Sequence, residues 1–472
     1  MSREDALDRL RRLGEPLMVE LSRALWRAGA GYEREVALRP IYDKHAAAID
    51  DDALAIALDC YRSAAEGSDA RRAARLLLDW QVEMHAGREL AELDERELAW
   101  EGSAVVDLAD GRSVPYQRVA IDIANTAERK DRIALDDARA RTVARELAPI
   151  RRERFTRERE LVDALGIADG YIESLEEIGA LPLRALAAQC EHFLRDTAEM
   201  WREVLRDTLR RELSVTLEDA ARSDALALAR ASAFDAWFGA AAMEPTVRRQ
   251  LAEMGLDPEA QGHVRYDTGE RDGKRSRAFC APVRIPDEVH LVLRPQGGAT
   301  DWKTLLHEAG HALHFGNVAP ARPFEERWLG DNSVTEGYAM LLDHRMQDRG
   351  WLRRYTELSG ADLARFLRRA GFEELRFLRR YCAKLLYELE LHGGEVPERD
   401  IAARYAELLS EATGFRYSPD DAYVDVDPRF YSGRYLRAWQ LQALLADALT
   451  ARFDEDWWRN PRSGPWVRTE LF

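Results

Sequence analysis

Residues 301–314 read Asp301-Trp-Lys-Thr-Leu-Leu-His307-Glu308-Ala-Gly-His311-Ala-Leu-His314. The core of this stretch is an H-E-x-x-H pattern. Two histidines four residues apart stand about 40° from each other around a helix, so both imidazoles can reach one ion. Glu308 lies about 100° further round, beside such an ion, where a general base for water belongs. Imidazole suits zinc, and a catalytic zinc keeps one coordination position open. Water on zinc has a pKa of roughly 7, so a carboxylate can accept its proton at neutral pH. Leu305, Leu306, Ala309, Ala312 and Leu313 fill the remaining positions and predict a helix with a buried side.

Catalytic zinc sites take three protein ligands, so a third is sought downstream. Glu336 stands 29 positions after His307, in Ser333-Val334-Thr335-Glu336-Gly337-Tyr338. Its helical segment, 334–346, follows a loop with Pro320, Pro323, Gly330 and Asp331-Asn332, which lets it fold back on the first helix. Asn332 or Ser333 would be its N-cap. The competing acids Glu325 and Glu326 fall in the loop and read as solvated charges. Asp343, two turns beyond Glu336, reads as a partner that orients a histidine or as a plain surface acid. His314 follows His307 by seven positions on the same face, and reads as support behind the ligands or as core packing.

The rest of the chain bounds the setting. Its 472 residues carry 85 acidic and 69 basic side chains, a net charge of −16, with 46% hydrophobic and 33% charged residues. That composition describes a globular protein large enough for two lobes. The acidic balance excludes the basic face a nucleic-acid binder needs. Cys60, Cys190, Cys280 and Cys382 show no paired spacing and encode no disulfide framework. The N-terminus is charged throughout, unlike a signal peptide. The most apolar stretch, 225–243, carries Arg230 and Asp235 and reads as a soluble helix rather than a membrane span. A cytoplasmic protein with no membrane association is expected.

Residues 1–240 are rich in Ala, Leu, Arg and Glu at helical spacing, as in 76–98 and 186–213. A turn or small hairpin is expected within 100–114. The strand signals cluster at 277–283 and 287–293, punctuated by Pro282, Pro286, Pro295 and Gly297-Gly298. The expected fold is mainly α: two helical lobes around a deep cleft, with one small β-sheet beside the zinc helix. The expected division is a helical lobe over 1–240 and a catalytic lobe over 241–472, with the two allowed to interleave.

These pieces together resemble the thimet oligopeptidase / oligoendopeptidase F family of zinc metallopeptidases, of the gluzincin type. More distantly they are similar to the angiotensin-converting dipeptidase and thermostable carboxypeptidase families. Four segments carry the resemblance: His307 to His314, Glu336 at its spacing, the run from Asp267 through Gly273-Lys274 to Cys280, and Tyr431-Ser-Gly-Arg-Tyr435 followed by Asp447. The closing Asn460-Pro-Arg-Ser-Gly-Pro-Trp466 is also similar. The resemblance implies that His307, His311 and Glu336 hold one zinc per chain and that Glu308 is the general base. It implies that Tyr431 and Tyr435 donate to the oxyanion, a large term in such reactions. It further implies that Arg277, Ala278 and Phe279 bind peptide along a sheet edge. The chain departs from the family in its shorter length, in Ala438 where a further tyrosine is frequent, and in Gly337-Tyr338 after Glu336.

The sequence thus predicts a zinc metallopeptidase acting on short peptides. A carboxypeptidase or dipeptidyl carboxypeptidase is the alternative within that chemistry. It would need a cation for the terminal carboxylate, with Arg434, Arg437 and Lys274 as candidates. A non-catalytic helical scaffold holding zinc is the alternative outside it. Glu308 speaks against the scaffold, because structure needs only the ligands.

Overall fold

The computed structural model describes residues 3–34, 36–257, 263–275 and 277–472. Ser276, within the run from Asp267 to Cys280, lies outside the described residues. The protein is mainly α, with 72% of its residues helical and two small sheets. Among the described residues no helix is long and apolar enough to cross a membrane. Among the described residues the strands are β1 (Val105–Asp107), β2 (Ser113–Pro115), β3 (Val264–Asp267), β4 (Phe279–Arg284) and β5 (Glu288–Val292).

The chain forms two compact units. One comprises 1–88, 232–367 and 437–472; the other comprises 89–231 and 368–436. The first holds the three-stranded sheet, in the order β3-β5-β4. β5 pairs parallel to β3 and antiparallel to β4, with Cys280 opposite Leu291. As the central strand, β5 buries Val289, His290, Leu291 and Val292 in succession, and so is covered on both faces instead of alternating. β4 is an edge strand, which is why it tolerates Pro282, a residue with no N–H to donate.

The chain leaves the sheet through Gly298, whose φ of 91° suits only glycine, and enters the helix Ala299–Asn317. Asp301 accepts from the backbone N–H groups of Gln296 and Gly297, which steadies that turn. The helix buries Trp302, Leu305, Leu306, Ala309, Ala312 and Leu313. Trp302 meets the rings of Phe238 and Trp351 edge-on, at 5.5 and 6.4 Å. A second helix, Asn332–Asp343, packs on the first. Its N-cap is Asp331, which accepts from Ser333 N; a carboxylate one position earlier takes the place expected for Asn332 or Ser333.

The two helices approach unusually closely at Gly310. A Cβ there would stand 2.5 Å from Ala339 Cα and 2.6 Å from the Tyr338 carbonyl oxygen. Only a residue without a side chain fits between the backbones.

The second unit is built on a core that includes Trp201, Leu205, Leu209, Tyr387, Tyr405 and Phe415. Trp201 stacks on Phe372 at 5.1 Å and donates its indole N–H to the Thr413 carbonyl at 3.0 Å. Arg139 makes a buried bidentate pair with Asp421, at 2.6 and 2.7 Å. β1 and β2 form the hairpin expected within 100–114 and cover Val119 and Ile123. The helical spans read over 76–98 and 186–213 each contain a break. The former divides into Asp69–Glu89 and Ala91–Ser103, and the latter into Leu183–Asp196 and Ala198–Glu212.

The apolar stretch 225–243 is not one helix. Arg222–Arg230 ends at Ala231, whose φ is 50°, and a 3-10 segment Ser232–Trp237 leads to the helix Ala240–Met254. Burial of Phe234 and Phe238 against Phe366, at 5.1 and 5.0 Å, outweighs the helical preference of the alanines around them.

A Gly310→Ala substitution tests the helix contact. Overpacking of this kind costs roughly 1–3 kcal/mol. The urea midpoint should fall accordingly, and an unchanged midpoint would show that the helices separate without cost.

Candidate metal centre

Helical spacing puts His307 and His311 on one side of Ala299–Asn317, with ring centroids 4.9 Å apart. The close approach at Gly310 then brings Glu336 to them from Asn332–Asp343. Its Oε2 lies 3.2 Å from His307 Nε2 and 3.6 Å from His311 Nε2. The three donor atoms lie within 4.8 Å of one another, the one such group among the described residues. Zinc bonds of about 2.0–2.1 Å at tetrahedral angles would separate ligand atoms by roughly 3.4 Å. The donor set and its spacing therefore fit a divalent transition ion.

The opposite sides of both rings are held. His307 Nδ1 lies 2.9 Å from Asp343 Oδ2, and His311 Nδ1 lies 2.8 Å from the Thr335 hydroxyl. When each Nδ1–H donates to these oxygens, the Nε2 lone pairs face Glu336, the tautomer a metal ligand needs. Asp343 is buried, and its other oxygen is 2.9 Å from His344 Nδ1. Burial works against its charge, but the Lys303 charge and the bonds from His307 and His344 hold it well below the usual carboxylate range.

The two histidines titrate in opposite directions. Burial disfavours a charged His307, yet the carboxylates of Asp343 and Glu336 outweigh it and push the pKa up to about 10. His311 lacks a carboxylate on Nδ1, and burial pushes it down to about 4 against the pull of Glu336.

Glu308 is 9% exposed, and its Oε2 accepts from the Cys280 N–H of β4 at 2.8 Å. Burial raises its pKa; the nearby positive charge of His307, the Cys280 N–H and Arg277 pull the other way. A carboxyl whose pKa is raised by burial is a better proton acceptor than an exposed one.

The remaining sequence-predicted residues fall as follows. His314 is packed among the rings of Phe315, Tyr338 and Phe472, at 5.0–5.8 Å, and burial pushes its pKa down to about 3. Ala278 is buried, and the Phe279 ring packs over the backbone of Gly29, while Arg277 is exposed. Lys274 is buried and binds the Asp267 carboxylate at 3.1 Å and the carbonyls of Asp267 and Gly269 at 2.8 Å. It cannot also receive a substrate carboxylate. Arg437 pairs with Asp331 at 3.0 Å. Tyr431 and Tyr435 belong to the second unit, where their rings lie 5.2 Å apart and Tyr381 packs on Tyr435 at 5.1 Å.

Thr335, the Cys280 N–H, Gly310 and Tyr381 were not singled out from sequence. Thr335 alone carried a signal, as a hydroxyl next to the candidate ligand. The others depend on which backbones and helices meet.

No protein-family model matches the chain, and no curated protein matches it. The fold is shared with a solved structure from Chlamydophila abortus described as a "putative peptidase". The TM-score is 0.63 at 14% identity, over 98% of this chain and 85% of that one. The chain is thus a mainly α protein of that fold, carrying a His-His-Glu group able to hold a metal ion.

Two outcomes are expected. Asp343→Asn should weaken zinc binding about 10–100-fold in chelator competition, since partners of ligating histidines have effects of that size. Cation binding at Nε2 must displace the proton that Asp343 and Glu336 hold on His307, so affinity should rise with pH toward about 10. Calorimetry in buffers of different ionisation enthalpy should therefore show about one proton released per zinc near pH 7.

Proposed function

We propose that the protein is a zinc-dependent metallopeptidase acting on short peptides, of the thimet oligopeptidase / oligoendopeptidase F kind. The observation that carries this reading is the convergence of His307, His311 and Glu336 with Glu308 held beside them by Cys280 N–H. The peptidase description of the Chlamydophila abortus structure supports it.

One zinc per chain, held by His307, His311 and Glu336, would supply Lewis-acid polarisation of the scissile carbonyl and a lowered pKa for water. The protein's own groups do the rest. Glu308 takes a proton from the attacking water and delivers it to the departing amine nitrogen. Its burial suits the role of base, because a carboxylate with a raised pKa holds a proton more readily than an exposed one. Asp343 and Thr335 keep the imidazoles in register. β4 is an edge strand, and by alternation the Cys280 N–H toward Glu308 faces away from β5. A peptide added along that edge would run past Glu308, with Ala278 and Phe279 in the edge segment. On the resemblance alone, Tyr431 and Tyr435 are assigned as donors to the oxyanion.

The scaffold reading gains nothing from this geometry. A structural ion needs its ligands, not a buried carboxyl held in place beside them by a backbone donor.

Glu308→Gln should retain one zinc and lose peptide hydrolysis by roughly 10²–10⁴-fold, the usual worth of a general base. Full activity in that variant overturns the assignment. Tyr435→Phe should lower kcat about 10²–10³-fold with little change in KM, the mark of a donor used only in the transition state.

A further inference from the structure

The segment that leads into β4 sets four cations against three acids, Asp267, Glu270 and Asp272. Between Asp267 and Phe279 stand Arg271, Lys274, Arg275 and Arg277. Asp267 engages both Arg271 and Lys274. Glu270 is taken by Arg294 at 2.8 Å. The Arg275 guanidinium lies 5.8 Å from the centre of the Phe279 ring, while the Arg275 backbone N–H donates to the Gly29 carbonyl at 2.9 Å. Arg277 is exposed, and among the described residues no ion pair or hydrogen bond is recorded for it.

Exposed arginines are common, and this one is singled out by its position. It stands three residues before Cys280, whose N–H holds Glu308. Three residues of extended chain span about 10 Å. The Arg277 charge is one of the smaller influences that lower the Glu308 pKa, and among the described residues no ion pair joins the two. Arg277 also precedes the edge strand of the sheet, where among the described residues no strand pairs with the outer side of β4. A cation held at a reactive edge but left unneutralised is suited to a ligand's negative charge. The need is general in this chain: with a net charge of −16, an acidic ligand is repelled at long range and requires a local counter-charge.

We infer that Arg277 binds a carboxylate of the peptide close to the scissile bond, so that the preferred substrates carry either a free C-terminus or an acidic side chain there. The guanidinium fork matches a carboxylate with two parallel hydrogen bonds. This assigns to Arg277 the role for which Lys274 is unavailable, and it rests on the peptidase reading above.

The test uses the full-length, zinc-loaded protein and N-acetylated hexapeptides in matched pairs. One pair differs in a C-terminal acid against its amide. The other pair, both amidated, differs in Glu against Gln flanking the cut. The wild type should favour the carboxylate member of at least one pair by ~10–100-fold in kcat/KM, as expected for charged hydrogen bonds. The pair that shows it identifies the source of the carboxylate. In Arg277→Gln the ratio should fall to about one, whatever happens to the absolute rates, and Arg277→Lys should keep part of it. Ratios near one in the wild type, or a ratio unchanged in Arg277→Gln, overturn the inference while leaving the peptidase reading intact. Failure of the wild type to cut any of the four peptides overturns both.

Discussion

Two helix backbones meet at Gly310, and the candidate metal centre depends on that contact. The histidines come from Ala299–Asn317 and the carboxylate from Asn332–Asp343, so their convergence is a matter of interhelical distance. Any side chain at Gly310 would collide with the Ala339 backbone. The glycine sits between the two histidines and leaves the facing helix close enough for Glu336 Oε2 to reach both Nε2 atoms. Packing and chemistry share the same residues, which makes the site intolerant of small shifts.

The polar groups around the centre show how such a cluster survives burial. Uncompensated buried charge is costly, and the groups that flank the candidate ligands are paired. Asp343 lies between His307 and His344, Thr335 meets His311, and Glu308 receives a backbone N–H from β4. The sheet therefore does more than support the helix. Through Cys280 it fixes the carboxyl that would handle protons, and β4 is the terminal strand of the sheet.

Much of this was legible in the amino-acid sequence, and the misses share a cause. The four-residue spacing of His307 and His311 is geometry internal to one helix, so the sequence alone placed their imidazoles together. The strands over 277–283 and 287–293 were readable from β-branched content and proline punctuation, and differ from the observed spans by one or two residues. The stretch 225–243 was misread because its alanines favour a helix locally, whereas Phe234 and Phe238 are buried against an aromatic residue more than a hundred positions away. The cap falls at Asp331, one residue ahead of Asn332 and two ahead of Ser333, because several capping side chains stand in succession there.

Residue types and their spacing are enough to specify the mainly helical texture, the small sheet ahead of residue 299, and a pair of histidines with a neighbouring glutamate on one helix. These follow from local rules of spacing and propensity. Tertiary structure alone decided that Glu336 faces the histidines, that Asp343 and Thr335 hold their far nitrogens, that a main-chain N–H secures Glu308, and that Lys274 is consumed while Arg277 is left exposed. Each of these depends on the distance between elements far apart in the chain, and a backbone donor or a close helix crossing has no signature in residue type.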